Sequence, residues 1–441
     1  MDTETKPTGM KGFTIVWFGQ LVSLLGSGMT QFALTIWAWQ FTGEATALAL
    51  VGFFTFAPSI LISPLAGALV DRWDRKKVMM LSDLAAGLST IAVFFLFSTD
   101  SLEIWHLYVT GAFAGVFQSF QFPAYSAAIS VMLDKEQYSR ASGMISLAEA
   151  ASGILAPIGA GIFFGYTGIP GILLFDVVTF IFAIGTLLAI YIPKHQQSED
   201  QEEKRSLLQD SLFGFRYIFD RPSLLGVQLV FLGMNLVGSF AFTLLNPMIL
   251  ARTGNDTIIL ASVQSSFGAG GLVGGILMSV WGGPEKRIYG LLGGLFMLSL
   301  FGGLLGIGQS QIVWMAAAFL MMLFIPILNG CSQALWMSKV PPEFQGRVFA
   351  TRRLIAQISQ PLAMILTGPL ADWVFEPAMQ QGGSLADVFG WLVGTGAGAG
   401  MALIFVFMGI SGGLISLIGY SIKTIRDVEE LIPDFDSTEL Q

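Results

Sequence analysis

The stretch Gly67-Ala-Leu-Val-Asp71-Arg72-Trp73-Asp74-Arg75-Lys76-Lys77 crowds ionisable side chains into a short break between two apolar runs, 46–70 and 78–98. Each run can cross the hydrocarbon core of a bilayer, about 30 Å, which takes about 20 apolar residues. A basic break between two such runs reads as a loop kept on the cytoplasmic side, where Lys and Arg are retained. Working outward, further runs qualify at 13–39, 104–133, 141–165 and 171–192. After a polar stretch come 222–251, 258–281, 288–308, 311–338, 348–371 and 390–422. The pattern is six spans, a charged interruption and six more; the Gly-rich start of the last run, 390–400, either spans, re-enters or lies in the interface.

The bulk figures agree. The chain has 441 residues, 54% of them apolar and 12% charged, with 52 glycines and a mean hydropathy of +0.69. A soluble domain carries about 25% charged residues, and abundant Gly suits helices packed closely in lipid. The single Cys331 cannot form an intrachain disulfide, and with only His106 and His195 it makes no ordinary zinc site. No cofactor or metal is expected. A net charge of −8 argues against nucleic acid, which attracts basic faces. No cleavable leader is expected either, because 1–12 is polar and the first apolar run has full spanning length.

With both termini inside, Arg252 is the only one of the 22 Lys and Arg residues to fall on the outer side. One miscounted span would scramble that segregation. The expected organisation is a bundle over 1–193, a charged linker over 194–221, a second bundle over 222–426 and an acidic cytoplasmic tail over 427–441. Within the linker, Leu208, Leu212, Phe215 and Phe219 share one helical face, so 206–220 reads as a helix on the inner membrane surface or one packed under the bundle. The halves echo each other: Gly67–Asp71 recurs as Gly275–Ser279, and Glu136-Gln-Tyr-Ser-Arg140 as Glu343-Phe-Gln-Gly-Arg347, at nearly the same offset. Repeated halves suit alternating access.

The segment Gly67–Lys77 resembles the loop 2–3 signature of the major facilitator superfamily, G-x-x-x-D-R-x-x-R-K-K, with every fixed residue type present. Trp281-Gly-Gly-Pro-Glu-Lys-Arg287 and Val340-Pro-Pro-Glu-Phe-Gln-Gly-Arg347-Val-Phe look like the macrolide-efflux and enterobactin-exporter branch. The resemblance implies an all-α membrane protein of twelve transmembrane helices in two pseudo-symmetric six-helix bundles. It also implies that Gly67, Asp71, Arg72, Arg75 and Lys76 form a latch closing the cytoplasmic face against the start of span 11. An ionised Asp71 at the membrane edge would find an attractive partner in the positive end of a helix; otherwise the loop merely fixes topology.

Acids inside spans are costly, about 2.5–3.5 kcal/mol at the bilayer centre on insertion scales, and so are functional candidates. Asp83 follows Lys77 closely and reads as a partner of the basic loop. Glu149 lies nine residues after Arg140, about 13 Å along a helix, where desolvation would favour a group that gains and loses a proton. Asp176, nearer the outer face, reads as a second carrier or a tie between helices. In span 5, which also holds Glu149, Gly153-Ile-Leu-Ala-Pro157-Ile-Gly159-Ala-Gly161 resembles the G-x-x-x-G-P-x-x-G antiporter motif, with Ala156 where Gly is usual. Span 4 lacks the Arg that proton-coupled drug exporters commonly carry there.

The family fold lines its cavity with spans 1, 4, 7 and 10, which here offer Gln20, Gln31, Gln118, Gln121, Asn235, Asn246, Asn329 and Gln333. Their aromatics are Trp37, Trp39, Phe117, Phe120, Phe240 and Trp336. Neutral amides beside large rings suit a bulky amphiphile; on the other reading some of these side chains face lipid. The expectation is a monomeric exporter of a drug, macrolide, siderophore or secondary metabolite in a bacterial plasma membrane, working by proton antiport. A lysophospholipid transporter of the same fold is the alternative. No intramembrane His or Ser/His/Asp set supports an enzyme, and the repeat speaks against a channel. Gly394-Thr-Gly-Ala-Gly398-Ala-Gly400 imitates a nucleotide loop but lacks the preceding strand.

Overall fold

The computed structural model describes residues 7–70, 73–134, 137–192 and 207–434. Asp71 and Arg72 therefore lie outside the described residues, as do the side chains of Glu343 and Arg347 and the surroundings of Gly67. Every regular element among the described residues is a helix, as lipid requires of backbone groups that must satisfy one another. Among the described residues, ten helices are long and apolar enough to cross a membrane.

The first unit comprises Met1–Ser198 with Ile249–Ser265, the second Glu199–Met248 with Ser266–Gln441. In the first, α1 (Gly9–Thr42), α2 (Ala45–Val70), α3 (Arg75–Ser98) and α4 (Ile104–Met132) precede α5 (Tyr138–Ala189). At 52 residues α5 would be about 78 Å long if straight, far more than a bilayer accommodates. It turns at Gly168, whose φ of 61° and ψ of −165° are open essentially to glycine. The contacts of α1 show the two arms running in opposite directions. On the first arm, Trp17 Nε1 donates to Met144 O at 2.7 Å, Ser152 Oγ donates to Leu24 O at 3.1 Å, and Gly28 faces Ala156. Numbers rise together, so this arm is parallel to α1. On the second arm, Gly19 meets Thr186 and Gly26 meets Asp176 and Thr179; numbers rise against each other, so it is antiparallel.

One apolar cluster marks one end of this unit. Phe13, Val16, Val70, Val78, Met79, Met132, Leu133, Ala141, Leu187 and Ile190 pack together there, joining the starts of α1, α3 and α5 to the ends of α2, α4 and the second arm. Arg75, Lys76, Lys77 and Arg140 belong to these same helix ends, so the basic side chains gather on one side as the loop pattern predicts. Asp74 caps α3 by accepting from Lys77 N at 3.3 Å, and Lys76 Nζ donates to Ile190 O at 2.7 Å. Arg75 keeps a buried Nη1 with no hydrogen-bond partner among the described residues.

The second unit carries α6 (Leu207–Phe219), most of α7 (Pro222–Thr253) and α8 (Thr257–Trp281), then α9 (Arg287–Ile307), α10 (Gln311–Lys339) and α11 (Pro342–Pro369). A π turn, Leu370–Phe375, and a single turn, α12 (Glu376–Ala378), continue α11; α13 (Ala386–Val393) and α14 (Ala399–Ser421) follow. The helix in the linker packs under the bundle: Phe213 and Tyr217 lie 5.0 and 6.2 Å from Phe344, and the Tyr217 hydroxyl donates to Lys339 O at 3.3 Å. The run 390–422 is not one helix. Gly394, Gly396 and Gly398 all have positive φ, and the last span begins at Ala399. Glu376 caps it, accepting from Gly398 N at 3.0 Å and Met401 N at 2.8 Å, with a carboxylate at the positive helix end.

The start of the acidic tail is folded rather than free. Short helices α15 (Lys423–Arg426) and α16 (Val428–Leu431) lie under α9 and α10. Glu429 accepts from Arg287 N at 3.1 Å and Ile288 N at 3.0 Å, capping α9. Lys339, only 2% exposed, spends its ammonium on Glu429 O (2.9 Å), Ile432 O (2.5 Å) and Asp434 Oδ1 (2.7 Å). The Glu430 carboxylate raises the pKa of Lys286, and Arg426 lowers that of Asp427. Both ion pairs therefore hold through the neutral range. The Asp427 pair fails only as acid carries the pH down through its depressed folded pKa, and the Lys286 pair only as base carries it up through its raised one. Lys339→Met should free the segment 427–434, at about 1.5–3 kcal/mol for hydrogen bonds to a charged group. Hydrogen exchange of 427–434 checks this, and unchanged protection would refute the clamp.

Candidate functional site

The polar residues of the first unit form two separate knots. In one, Gln20 Nε2 donates to Asp83 Oδ2 and Gln121 Nε2 to Asp83 Oδ1, both at 2.9 Å, while Gln121 Nε2 also reaches Gln20 Oε1 at 3.0 Å. This corrects the reading of Asp83 as a partner of the basic loop. Its carboxylate is buried and tied by amides from α1 and α4. Gln121, a candidate for the cavity, is engaged in this tie.

The second knot is centred on Asp176, 3% exposed. Its Oδ1 accepts from Ser27 Oγ at 3.2 Å and its Oδ2 from Thr90 Oγ1 at 2.9 Å. Three elements, α1, α3 and the second arm of α5, meet on one carboxyl. Such an arrangement holds helices together.

Glu149 stands apart. Sequence places it deep among alanines, yet its side chain is exposed. On the first arm of α5, Ser152, Ala156 and Gly159 face α1, with Met29 Sδ 3.2 Å from where a Cβ at Gly159 would be. The opposite side faces α8: Ser265 Oγ donates to Ile154 O at 3.1 Å, and a Cβ at Gly161 would lie 3.2 Å from Ala261 Cβ. At 3.6 residues per turn two arcs remain free. One carries exposed Leu147, Leu155, Ile158 and Ile162, which suits lipid. The other carries Ser146, Glu149 and Gly153, all exposed. Glu149 thus shares its arc with small and polar residues instead of the aliphatic one. Pro157 is buried, and the helix passes it without a break; within the antiporter-like motif Ala156 and Gly159 pack against α1, while Gly153 lies on the open arc.

The other cavity candidates divide. Gln31, Gln118, Asn329 and Gln333 are exposed. Asn235 turns back on its own helix, donating to Phe231 O at 2.8 Å, while Phe240 and Trp336 are buried in the second unit. Gln333 accepts from Arg352 Nη1 at 3.0 Å, and Arg352 was not apparent from sequence. Its place ten residues into α11 made it look like one more topology-setting cation, but it is 8% exposed. The only signal was position: it stands well inside the helix, past Arg347.

A sequence profile of the Major Facilitator Superfamily matches residues 16–364. The chain belongs to the major facilitator superfamily. It is 27% identical over 373 residues to macrolide efflux protein A of Streptococcus pyogenes, covering 82% of this chain and 89% of that protein. Against the enterobactin exporter EntS of Citrobacter koseri the figures are 22% over 343 residues, 76% and 79%. A crystal structure of a bacterial homolog to the human lysosomal transporter Spinster, inward-facing and unoccupied, superposes with a TM-score of 0.65 at 15% identity. That match covers 93% of this chain and 97% of the other and shows the fold. This member of the superfamily is thus a multi-pass membrane transporter and not an enzyme.

Proposed function

We propose that this major facilitator protein exports a hydrophobic or amphiphilic small molecule across the bacterial plasma membrane by alternating access, driven by proton antiport, with both termini in the cytoplasm. The two arms of α5 counted separately, together with α4, bring the spans to twelve. The observation that carries the reading is Glu149, an exposed carboxylate on the small, polar arc of span 5, away from the aliphatic arc. It shares that arc with Ser146 and Gly153. Exposed neutral amides at Gln31, Gln118, Asn329 and Gln333 support an amphiphilic cargo, as do relatives named for macrolide and enterobactin export. Asp176 acts in this scheme as a helix tie. Loop 67–77 closes the cytoplasmic face through Asp71, Arg72 and Arg75.

Proteoliposomes with an imposed proton gradient test the reading, using a fluorescent macrolide-type dye beside a fluorescent lysophospholipid. The dye should be moved against its gradient. Glu149→Gln should abolish the gradient-driven component while leaving counterflow of the dye intact, since the variant lacks only a titratable group in a costly setting. An unchanged pH profile in Glu149→Gln removes the carrier. Transport of the lysophospholipid alone would replace the small-molecule cargo by lipid.

A further inference from the structure

Within the second unit, Arg352 is buried among neutral partners. Its Nη1 donates to Gln333 Oε1 at 3.0 Å and its Nη2 to Ser332 Oγ at 2.6 Å. Its Cζ lies 5.1 Å from the Trp336 ring and 5.5 Å from Phe231, and Gln228 Nε2 donates to its backbone O at 3.3 Å. No carboxylate pairs with it among the described residues. Buried charges are ordinarily paired, and a guanidinium presents five donors in a fork suited to an oxyanion. Trp336 is fully buried, and its indole Nε1, a donor only, has no partner among the described residues. Donors therefore outnumber acceptors around one uncompensated positive charge, between two aromatic faces.

We propose that Arg352, with Ser332 and Trp336, binds the anionic headgroup, a phosphate or carboxylate, of an amphiphilic ligand. The oxyanion takes the free guanidinium donors and the indole N–H, and the rings of Trp336 and Phe231 flank the adjoining apolar segment. This rests on the reading that the cargo is an amphiphile, and it narrows that class to molecules bearing one acidic group. Neutral amides alone would not select for charge; the buried guanidinium does.

The test is binding of radiolabelled dodecyl phosphate to the purified full chain in maltoside micelles. Unlabelled dodecyl phosphate, inorganic phosphate and dodecyltrimethylammonium serve as competitors. R352Q should weaken binding at least about tenfold, about 1.4 kcal/mol. R352K, which keeps the charge but loses the fork, should fall between, and R353Q, a change at the exposed neighbour, should bind like the parent. The alkylammonium should fail to compete. Undiminished binding by R352Q, or equal competition by the cation, overturns the proposal. Competition by inorganic phosphate as effective as by dodecyl phosphate overturns the amphiphile and leaves a free-anion site. Should R352Q not fold, R352K carries the comparison, and parent-like affinity in R352K overturns the fork. Binding is read without turnover, so a headgroup site that survives while dye export fails would count against the export reading alone, and the converse against this one.

Discussion

Gly26→Ala should lower the thermal stability of the transporter by about 2–3 kcal/mol, the upper range for overpacking, and Gly26→Leu should leave little folded protein in the membrane. The reason is where α1 sits. It runs between the two arms of α5, and at Gly26 a Cβ would fall 2.8 Å from Asp176 Oδ1 and 3.1 Å from Asp176 Cα, and would collide with Thr179 Oγ1. The Cα is backbone and cannot rotate away, so the helix itself must shift. Such a shift would loosen Ser27 Oγ on Asp176 and, two residues on, the contact of Gly28 with Ala156, where a Cβ would approach within 2.7 Å. Gly185 on the second arm supplies the control, because nothing lies within 4 Å of its virtual Cβ. Gly185→Ala should be neutral or gain up to about 1 kcal/mol from helix propensity. Melting of the detergent-solubilised variants, followed by size-exclusion chromatography, separates the two. Equal melting of Gly26→Ala and the parent would refute the close approach.

What sequence shows, and what it withholds, follows from the range of the interactions. Span positions are local sums over about 20 residues, so the runs at 46–70 and 78–98 and the basic break between them were legible, and so was the family through Gly67–Lys77. The linker helix was legible as amphipathic, but Phe344, which covers it, is far along the chain, so its packing partner was not. Asp83 takes partners 63 and 38 positions away, and no periodicity encodes which amide reaches which carboxylate. Glu429 caps α9 across 142 positions, and for that reason a folded clamp read as a tail. Arg352 was obscured differently. Charge near a span end is expected for topology, and only burial distinguishes a guanidinium inside the helix packing from one at the rim. Glu149 reversed the error: alanines on either side suggested enclosure, whereas the helix turn places it on an open arc.

Asp176 and Glu149 can be told apart by one pair of substitutions each. Asp176→Ala should cost about 2–4 kcal/mol, since it leaves the Ser27 and Thr90 hydroxyls without their acceptor, at about 1–3 kcal/mol for each unsatisfied buried group, and opens space beside Gly26. Asp176→Asn keeps one oxygen that can accept from Thr90 Oγ1, now at 2.9 Å from Oδ2, but introduces an amide that needs an acceptor, so about 1–2 kcal/mol is lost. If the carboxyl is a tie, loss of transport across these variants tracks loss of folded protein, and the pH profile of the remaining activity matches the parent. If it is a carrier, Asp176→Asn retains most of its stability yet loses gradient-driven transport while counterflow persists. Because Gly26 and Asp176 touch, Gly26→Ala combined with Asp176→Asn should depart from additivity by about 0.5–3 kcal/mol. Glu149→Gln, which removes no described hydrogen bond, should add independently to either. A stability cost shared with Gly26 and a pH profile unmoved by Asp176→Asn would together assign the proton to Glu149 and the helix junction to Asp176.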